Sequence, residues 1–589
     1  MAKWTLFLAC LAATICAYMG PKRAPSRPNI LFIFTDDQDV HMDSLSYMPL
    51  LKKYITDEGT LFSHHYCTVS LCCPSRANLW SGKAAHNTNV TDLSPPYGGY
   101  PKFVAQGFNT NYLPVWMQAA GWNTYYVGKL FNAHSVDNYN DPFPGGFTAS
   151  DFLLDPYTYE YWNATMQRNR EPPVSYEGQY STDVVAAKAA GFLGDGIAAF
   201  QGSGTPFFLT VAPTAPHSNV HNGTQAPPRP ATRHRGLFNE SVVVPRGASF
   251  NPETASGVSW VAALPRQNRT NVAWNDAWYR DRLRTLQAVD EMVEALVTQL
   301  DDAGVLDDTY VFFSTDNGYS IGQHRRQPGK QCAFEEDINV PMIVRGPGVA
   351  RGVVSESVTS HTDVAPTFLQ IAGVEEAVME GYELDGGAMP LPSSSGNGSG
   401  IGTGAAGTSD AGSREHVNAE MWGIILSEGI YGYVLYNNHT YKAIRVIGDG
   451  YSVLYTVWCT GQHELYDMLE DPWQMNNLVG NDSDPNAMFH IWQTGPGEQG
   501  QISTTVADLV DRLDALALVL KTCKTDACRR PWASIHPDGG VQNLAQALDS
   551  QFDEYYRGMP KVKWDKCWNG YIKEAEAPYW DDDLAFRDP

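Results

Sequence analysis

The stretch that decides the fold lies at residues 28–37 and reads Pro-Asn-Ile-Leu-Phe-Ile-Phe-Thr-Asp-Asp. Its apolar core is unbroken and rich in branched and aromatic side chains, which is typical of a strand buried on both faces of a parallel sheet. The strand ends in two carboxylates, Asp36 and Asp37. A single aspartate there would most often cap a helix or a turn. Because ligands of open α/β sheets bind at the carboxyl ends of strands, the pair marks a candidate site.

The same pattern returns further along the chain. The apolar run at residues 310–313 is followed by Asp316, Asn317 and a glycine. Before it, apolar side chains recur at helical spacing from Asp276 to a natural stop near Gly304. A helix followed by a buried strand is the unit of a parallel α/β layer. An Asn-Gly pair alone would indicate a hairpin turn, but here it follows a second buried strand.

Two further predicted strands lead into candidate site residues. A short helix at 115–120 and a strand at 122–127 precede Gly128 and Lys129, and a strand at 205–212 precedes His217. A lone lysine is usually exposed and a lone loop histidine is usually solvated. Because Lys129 and His217 follow predicted strands, both are candidate site residues. Alternating patterns at 430–435 and 441–446 predict antiparallel strands in the C-terminal part.

Composition describes a large globular protein. The chain has 589 residues, of which 43% are hydrophobic and 18% charged, and its length indicates roughly two to four domains. The formal charge of −24 argues against nucleic acid as a partner, because phosphate binding needs clustered Lys and Arg. It also weighs mildly against a large polyanionic substrate.

The N-terminus is typical of a secreted protein. Residues 1–17 combine a short basic start, an apolar run and small residues near the end, which predicts a signal peptide. The run is too short for a transmembrane helix, and we predict no membrane span. Eight Asn-x-Ser/Thr sequons agree with secretion: Asn89, Asn163, Asn222, Asn239, Asn268, Asn397, Asn438 and Asn481. Cys523 and Cys528 are close enough for a small disulfide loop, and Cys459 with Cys567 would tie down the C-terminal part, although connectivity stays open.

Residues 72–82 read Cys-Cys-Pro-Ser-Arg-Ala-Asn-Leu-Trp-Ser-Gly and place a nucleophile-sized side chain, a proline and an arginine within one turn. An activated nucleophile needs such an exposed side chain on a fixed backbone beside a cation. A plainer interpretation is one half of a disulfide followed by a turn. His86 follows closely, and a structural role for it is about as probable as a substrate contact.

The segment resembles the Cys-x-Pro-Ser-Arg-x-x-x-Leu-Thr-Gly signature of the type I sulfatases, with Trp80 and Ser81 as departures. The Cys-Cys-Pro-Ser-Arg form is most similar to arylsulfatases and N-acetylglucosamine-6-sulfatases. The segments at 329–348 and 463–478 are also similar to sulfatase motifs. The resemblance covers roughly residues 27–480. It implies an alkaline-phosphatase-like α/β sandwich, with a large mostly parallel central sheet between helices and a smaller C-terminal antiparallel sheet subdomain.

The resemblance also implies a site. One Ca²⁺ would be bound by Asp36, Asp37, Asp316, Asn317 and residue 72, and oxygen ligands alone do favour a hard cation over zinc. Cys72 would be oxidised to formylglycine by a formylglycine-generating enzyme during secretion. This conversion would leave an odd number of cysteines, so at least one would have no disulfide partner within the chain. The hydrated aldehyde would attack sulfur, with Asp316 as the activating carboxylate. The predicted catalytic residues are Cys72, Arg76, Lys129, His217 and Lys330. Many sulfatases carry a histidine two places after the lysine, where this chain has Phe131 and then Asn132, and His134 is a candidate substitute.

These observations predict a secreted arylsulfatase that acts on small sulfate esters. A catalytic domain would occupy residues 27–392, a flexible Gly/Ser-rich linker 393–413 and a C-terminal subdomain 414–589. The destination would be extracellular or a periplasmic or cell-wall space, with the lysosome as the less favoured location. The alternatives are a glycan sulfatase of the N-acetylglucosamine-6-sulfatase type, a phosphate ester hydrolase of the same fold with a Ser or Thr nucleophile, and a catalytically silent secreted binding protein.

Overall fold

The structure is a computed structural model, and it describes residues 27–393, 414–432, 434–493 and 500–580. The predicted signal peptide at 1–17 and nearly all of the predicted linker at 393–413 lie outside these residues. The proposed domain boundaries therefore stay predictions. Among the described residues, no helix is both long and apolar enough to cross a lipid bilayer.

A sheet of ten strands forms the centre of the fold. In chain order its strands are Asn29–Thr35 (β1), Thr60–Phe62 (β2), Asn123–Gly128 (β3), Ala149–Leu153 (β4), Thr165–Arg168 (β5), Val174–Ser175 (β6), Phe207–Ala212 (β7), Thr309–Thr315 (β8), Met342–Arg345 (β9) and Val353–Ser355 (β10). Their order across the sheet is β10-β2-β9-β8-β1-β7-β3-β4-β5-β6. The inner strands β8, β1, β7, β3 and β4 all run parallel. This confirms the α/β class.

Helices cover both faces of this sheet. The helices of seven or more residues in the described part are Cys72–Ser81 (α1), Gly99–Ala105 (α2), Leu113–Ala119 (α3), Ser181–Ser203 (α4), Arg269–Asp302 (α5), Val364–Ile371 (α6) and Val506–Leu520 (α7). In β1, Ile30, Phe32 and Phe34 pack on the side of α1, α3 and α6. Leu31 and Ile33 pack on the opposite side with α4 and α5. The apolar run is thus buried on both faces, as predicted.

The C-terminal part forms a second, antiparallel sheet. Its strands His416–Met421 (β11), Tyr441–Gly448 (β12), Tyr451–Trp458 (β13) and His463–Asp467 (β14) lie in that order, and α7 packs against them. Both suggested disulfides, Cys459–Cys567 and Cys523–Cys528, are present. The predicted strand at 441–446 is confirmed.

Two predicted elements differ from the structure. The strand predicted at 430–435 is wrong, because Ile430 and Tyr431 lie in a turn between the two-residue strands Ile425–Leu426 and Leu435–Tyr436. Gly429, at a φ of 79°, turns the chain where the alternating pattern predicted extension. Helix α5 begins seven residues before Asp276, because the Asn268 side chain caps it by accepting a hydrogen bond from the Asn271 amide.

A buried carboxylate ties the second sheet to the chain that follows it. Glu415 is 7% exposed and accepts hydrogen bonds from Tyr451, from Trp532 Nε1 at 2.7 Å and from the Leu544 amide at 2.9 Å. Burial raises the pKa of Glu415 from 4.5 to about 7, although these donors oppose the rise. The folded state therefore binds a proton that the unfolded state has already released between these two pH values. The contribution of Glu415 to the free energy of unfolding is largest below about pH 4.5 and falls as pH rises towards 7.

We expect Glu415→Gln to remove part of this pH dependence. At pH 8 the variant should unfold with a free energy larger than that of the wild type by up to about 3 kcal/mol, since it carries no buried charge. Urea unfolding at pH 5 and pH 8 measures the effect, with the exposed Glu171→Gln as control. A variant less stable than the wild type at pH 8 would contradict the expectation.

Candidate active site

Four adjacent strand ends bring the predicted site residues together. Asp36 and Asp37 follow β1, Asp316 and Asn317 follow β8, Lys129 follows β3 and His217 lies beyond β7. Strand β1 pairs with both β8 and β7, and β7 pairs with β3. The carboxyl ends of these parallel strands therefore meet at one edge of the sheet.

Helix α1 delivers Cys72 and Arg76 to the same place. Cys72 is the first residue of the helix, where the backbone amides and the helix dipole favour negative charge. Its Sγ lies 2.9 Å from Lys330 Nζ, 3.6 Å from Asp36 Oδ1 and 3.9 Å from Asp37 Oδ1. Burial raises the pKa of the Cys72 thiol, and the nearby lysines offset only part of the rise. Arg76 lies one turn later on the same helix face.

Arg76 links two of the carboxylates. Its Nε donates to Asp316 Oδ2 at 2.8 Å, and NH2 donates to Asp36 Oδ2 at 3.2 Å. The other Asp316 oxygen, Oδ1, accepts hydrogen bonds from the amides of Asp37 and Asn317, both at 3.0 Å. Burial alone would raise the pKa of Asp316, but Arg76 and Lys129 hold it well below its usual range. Asp36 and Asp37 are the carboxylates in contact with Cys72 Sγ, and the role of Asp316 as the activating carboxylate stays a prediction.

Two buried lysines complete the charge balance. Lys129 Nζ donates to Asp36 Oδ2 at 2.5 Å, and Lys330 Nζ contacts Asp37 Oδ1. Burial is the largest effect and lowers the pKa of each ammonium, but the paired carboxylate, Cys72 and Asp316 together outweigh burial and raise the pKa. Three carboxylates thus face three cations in the cluster of Asp36, Asp37, Asp316, Arg76, Lys129 and Lys330.

His217 lies at the less buried side of this cluster. Its Nδ1 donates to the Ser218 carbonyl at 2.8 Å, and its Nε2 lies 3.6 Å from Asp37 Oδ2. His217 is 5% exposed and Lys330 is 7% exposed, whereas Arg76 and Lys129 are fully buried. A ligand that reaches the cluster from solvent would therefore meet His217 and Lys330 first.

The donor atoms fit a divalent cation. Asp36, Asp37, Cys72 and His217 each offer one ligand atom, and these atoms lie within 4.8 Å of one another. Asp37 Oδ2 and Asn317 Oδ1 are buried oxygens that have no hydrogen-bond partner within the described part of the chain. Unpartnered buried oxygens beside carboxylates suit a hard cation. Asp37 is held at a φ of 64°, and its carbonyl accepts a hydrogen bond from the buried Arg282 of α5.

The structure resolves the two uncertain histidines. His86 bonds both oxygens of Glu420 through Nδ1 at 2.9 Å and the Cys523 carbonyl through Nε2 at 2.8 Å, so it joins the signature segment to the C-terminal part. His134 packs on the rings of Tyr100, at 4.7 Å, and Phe152, at 5.3 Å. Burial lowers the pKa of His134 to about 3. Its contacts are those of an aromatic core residue.

The sequence analysis missed Tyr159. Its ring stacks on His217 with centroids 4.1 Å apart, and Lys129 Nζ lies 4.8 Å from the ring centroid. The residue comes from a segment rich in Tyr and Trp at 157–162, and neither a motif nor a period distinguishes it from core aromatics. The stack could be recognised only from the fold.

The fold and the cluster together define a class of protein. The strand ends of this α/β fold hold buried carboxylates, the cations that balance them and the Cys72 side chain at a helix N-terminus. Such a site is suited to an anionic ester held beside a metal ion.

Comparisons with known proteins identify the family. The sulfatase family model matches residues 28–374. An arylsulfatase of Volvox carteri is 37% identical over 566 residues, which are 92% of this chain and 82% of that protein. An N-acetylglucosamine-6-sulfatase of Capra hircus is 27% identical over 533 residues, which are 87% of this chain and 86% of that protein. The chain belongs to the sulfatase family and is a sulfuric ester hydrolase.

A solved structure supports the fold independently. It is a complex of another protein with its substrate D-glucosamine-2-N,6-O-disulfate, and it aligns with a TM-score of 0.58 over 77% of this chain and 94% of that chain. The two sequences are 23% identical in this alignment, so the likeness establishes the shared alkaline-phosphatase-like architecture.

Proposed function

We propose that this protein is a secreted arylsulfatase that cleaves small sulfate monoesters with a formylglycine made from Cys72 and one Ca²⁺. The observation that carries the proposal is the position of Cys72. Its Sγ lies at a helix N-terminus, between the carboxylates of Asp36 and Asp37 and within 2.9 Å of Lys330 Nζ. A nucleophile there would lie beside both the Lys330 ammonium and two candidate metal ligands.

Calcium would be held by Asp36, Asp37, Asp316, Asn317 and the oxygen of residue 72. Calcium and the hydrated aldehyde would supply a polarised hydroxyl for attack on sulfur and a second hydroxyl that would allow sulfate to leave without attack by water. The two buried oxygens of Asp37 and Asn317 that have no hydrogen-bond partner in the described structure support this ligand set.

The charge count explains how the protein would attract its substrate. Three carboxylates and three cations cancel in the cluster, so a divalent cation would leave a positive surplus. A sulfate monoester carries a single negative charge, which this surplus would attract. Lys129 and Lys330, freed from part of their contact with Asp36 and Asp37, would then bind sulfate oxygens.

His217 is suited to the leaving group. Because Nδ1 donates to the Ser218 carbonyl, an imidazole with protons on both nitrogens would present an Nε2–H beside Asp37. A proton held at Nε2 can pass to the ester oxygen as the sulfur–oxygen bond breaks. Arg76 keeps Asp36 and Asp316 in place throughout, since it binds both.

The substrate class rests on charge and on the relatives. The chain carries a net charge of −24, which disfavours long sulfated glycans, and arylsulfatases are among its relatives. A glycan sulfatase is the second candidate, because N-acetylglucosamine-6-sulfatases are also relatives. Turnover of para-nitrophenyl sulfate compared with N-acetylglucosamine 6-sulfate discriminates between the two.

The decisive test is mass spectrometry of the tryptic peptide of residues 54–76 from protein made in its own secretory pathway. We expect an aldehyde at position 72 that a hydrazine traps, which would also support a formylglycine-generating enzyme as partner. An intact thiol, or a disulfide through Cys72, would overturn the formylglycine proposal and favour the silent binding protein.

A further inference from the structure

The loop after Lys129 does not place a second histidine at the cluster. Phe131, two residues after the lysine, is 1% exposed and packs on the ring of Phe103 at 4.4 Å. His134 lies among the aromatic rings of the same core.

Asn132, between them, connects this loop to Tyr159. Its Nδ2 donates a hydrogen bond to the Tyr159 hydroxyl oxygen at 2.6 Å. The Tyr159 ring lies against His217, with centroids 4.1 Å apart and planes at 25°, and Lys129 Nζ lies 4.8 Å from its centroid. One ring therefore touches both an imidazole and an ammonium of the proposed active site.

The stack restricts what His217 can do. The hydrogen bonds of Nδ1, to the Ser218 carbonyl at 2.8 Å and with the Ser218 hydroxyl at 3.3 Å, both involve one residue and would leave the imidazole plane free to swing about that side. The parallel ring of Tyr159 removes this freedom and keeps Nε2 on the side of Asp37. The π face also attracts the neighbouring cation and a protonated imidazole.

We propose that Tyr159, anchored by Asn132, is the positioning residue that aims His217 Nε2 at the leaving group and holds Lys129 in place. The inference rests on the proposed function. It assigns the role to the aromatic ring, with the hydroxyl serving only as the anchor.

Kinetics of three variants test this assignment. Tyr159→Leu removes the ring, and kcat should fall by about 100-fold, the cost of a misplaced catalytic group. Tyr159→Phe keeps the ring and should retain activity within about threefold of the wild type. Tyr382→Leu is the matched control, because it removes a ring stacked on Trp116 at 4.3 Å outside the cluster; we expect its kcat to stay unchanged.

The dependence of kcat on the leaving group of the ester is a second measurement, and general destabilisation of the protein would not change it. If His217 is misaimed, Tyr159→Leu should lose about tenfold more kcat with phenyl sulfate than with para-nitrophenyl sulfate, because the poorer leaving group depends more on the proton. Equal losses with both esters, or a loss in Tyr159→Phe as large as in Tyr159→Leu, would overturn the proposal. If the Leu variant does not fold, a loss in Tyr159→Phe well beyond about threefold overturns the proposal.

The same preparations separate this inference from the proposed function. Each protein is analysed for the aldehyde at position 72 and for its thermal midpoint before the assay. A wild type without aldehyde and without turnover refutes the proposed function. An active wild type whose Tyr159→Leu variant matches Tyr382→Leu refutes the positioning role alone.

Discussion

Replacing Cys72 by alanine or serine is expected to abolish sulfate ester hydrolysis. Neither side chain can be converted by the same oxidation into an aldehyde whose hydrate carries two hydroxyl groups. We expect kcat for para-nitrophenyl sulfate to fall by about 10⁴-fold or more, as when a nucleophile is removed from a preorganised site. Initial rates at saturating ester, with protein concentration fixed by absorbance, measure the loss.

The neighbouring cysteine is the matched control for this prediction. Cys73 is buried in the same helix but packs in the core with Leu79 and Trp80, and the signature leaves its position open. Cys73→Ala should keep the aldehyde at position 72 and most of the turnover. Wild-type activity in either Cys72 variant would refute the formylglycine proposal.

The strands and their polar ends could be predicted from the sequence because the signal is local. An unbroken apolar run has no exposed face, so residues 30–34 had to lie in the centre of a sheet. Each such strand ends with its own polar residues, and parallel neighbours bring those ends together. Asp36, Asp37, Asp316 and Asn317 meet for this reason.

The wrong and missing assignments depend on contacts between distant segments. Alternation at 430–435 favoured a strand, but the left-handed Gly429 starts a turn there. The hydrogen bonds from the amides of Asp37 and Asn317 to Asp316 Oδ1 likewise join the ends of two distant strands. Tyr159 reaches His217 only because the chain between β4 and β5 folds back over the cluster. The periodicity of apolar residues along the sequence does not predict such contacts.

Replacing Asp37 by asparagine is expected to weaken calcium binding strongly and to remove nearly all activity. Asparagine tolerates the left-handed backbone, at a φ of 64°, as well as aspartate does, so the change isolates the carboxylate. The Asp37 carboxylate interacts with Lys330, Asn317 and His217. Loss of one ligand charge should weaken calcium binding by about 100-fold, and kcat should fall by about 1000-fold.

Asp43→Asn is the matched control. Asp43 is exposed and has a φ of 65°, so it repeats the same substitution on the same backbone conformation outside the cluster. Calcium affinity is measured by isothermal titration after chelation, and the increase in thermal midpoint on adding calcium is measured in parallel. Wild-type and Asp43→Asn protein should both show the increase, and Asp37→Asn should not.

The charge balance makes this result specific to the metal. Without calcium, Asp37→Asn leaves two carboxylates against Arg76, Lys129 and Lys330, so its cluster is more positive than that of the metal-free wild type. A rate in Asp37→Asn no higher than that of the chelated wild type therefore cannot arise from weaker attraction of the sulfate anion. The loss of activity has to come from the missing cation or from the nucleophile that the cation orients. Full turnover by the chelated wild type, or unchanged calcium affinity in Asp37→Asn, would exclude the proposed metal site.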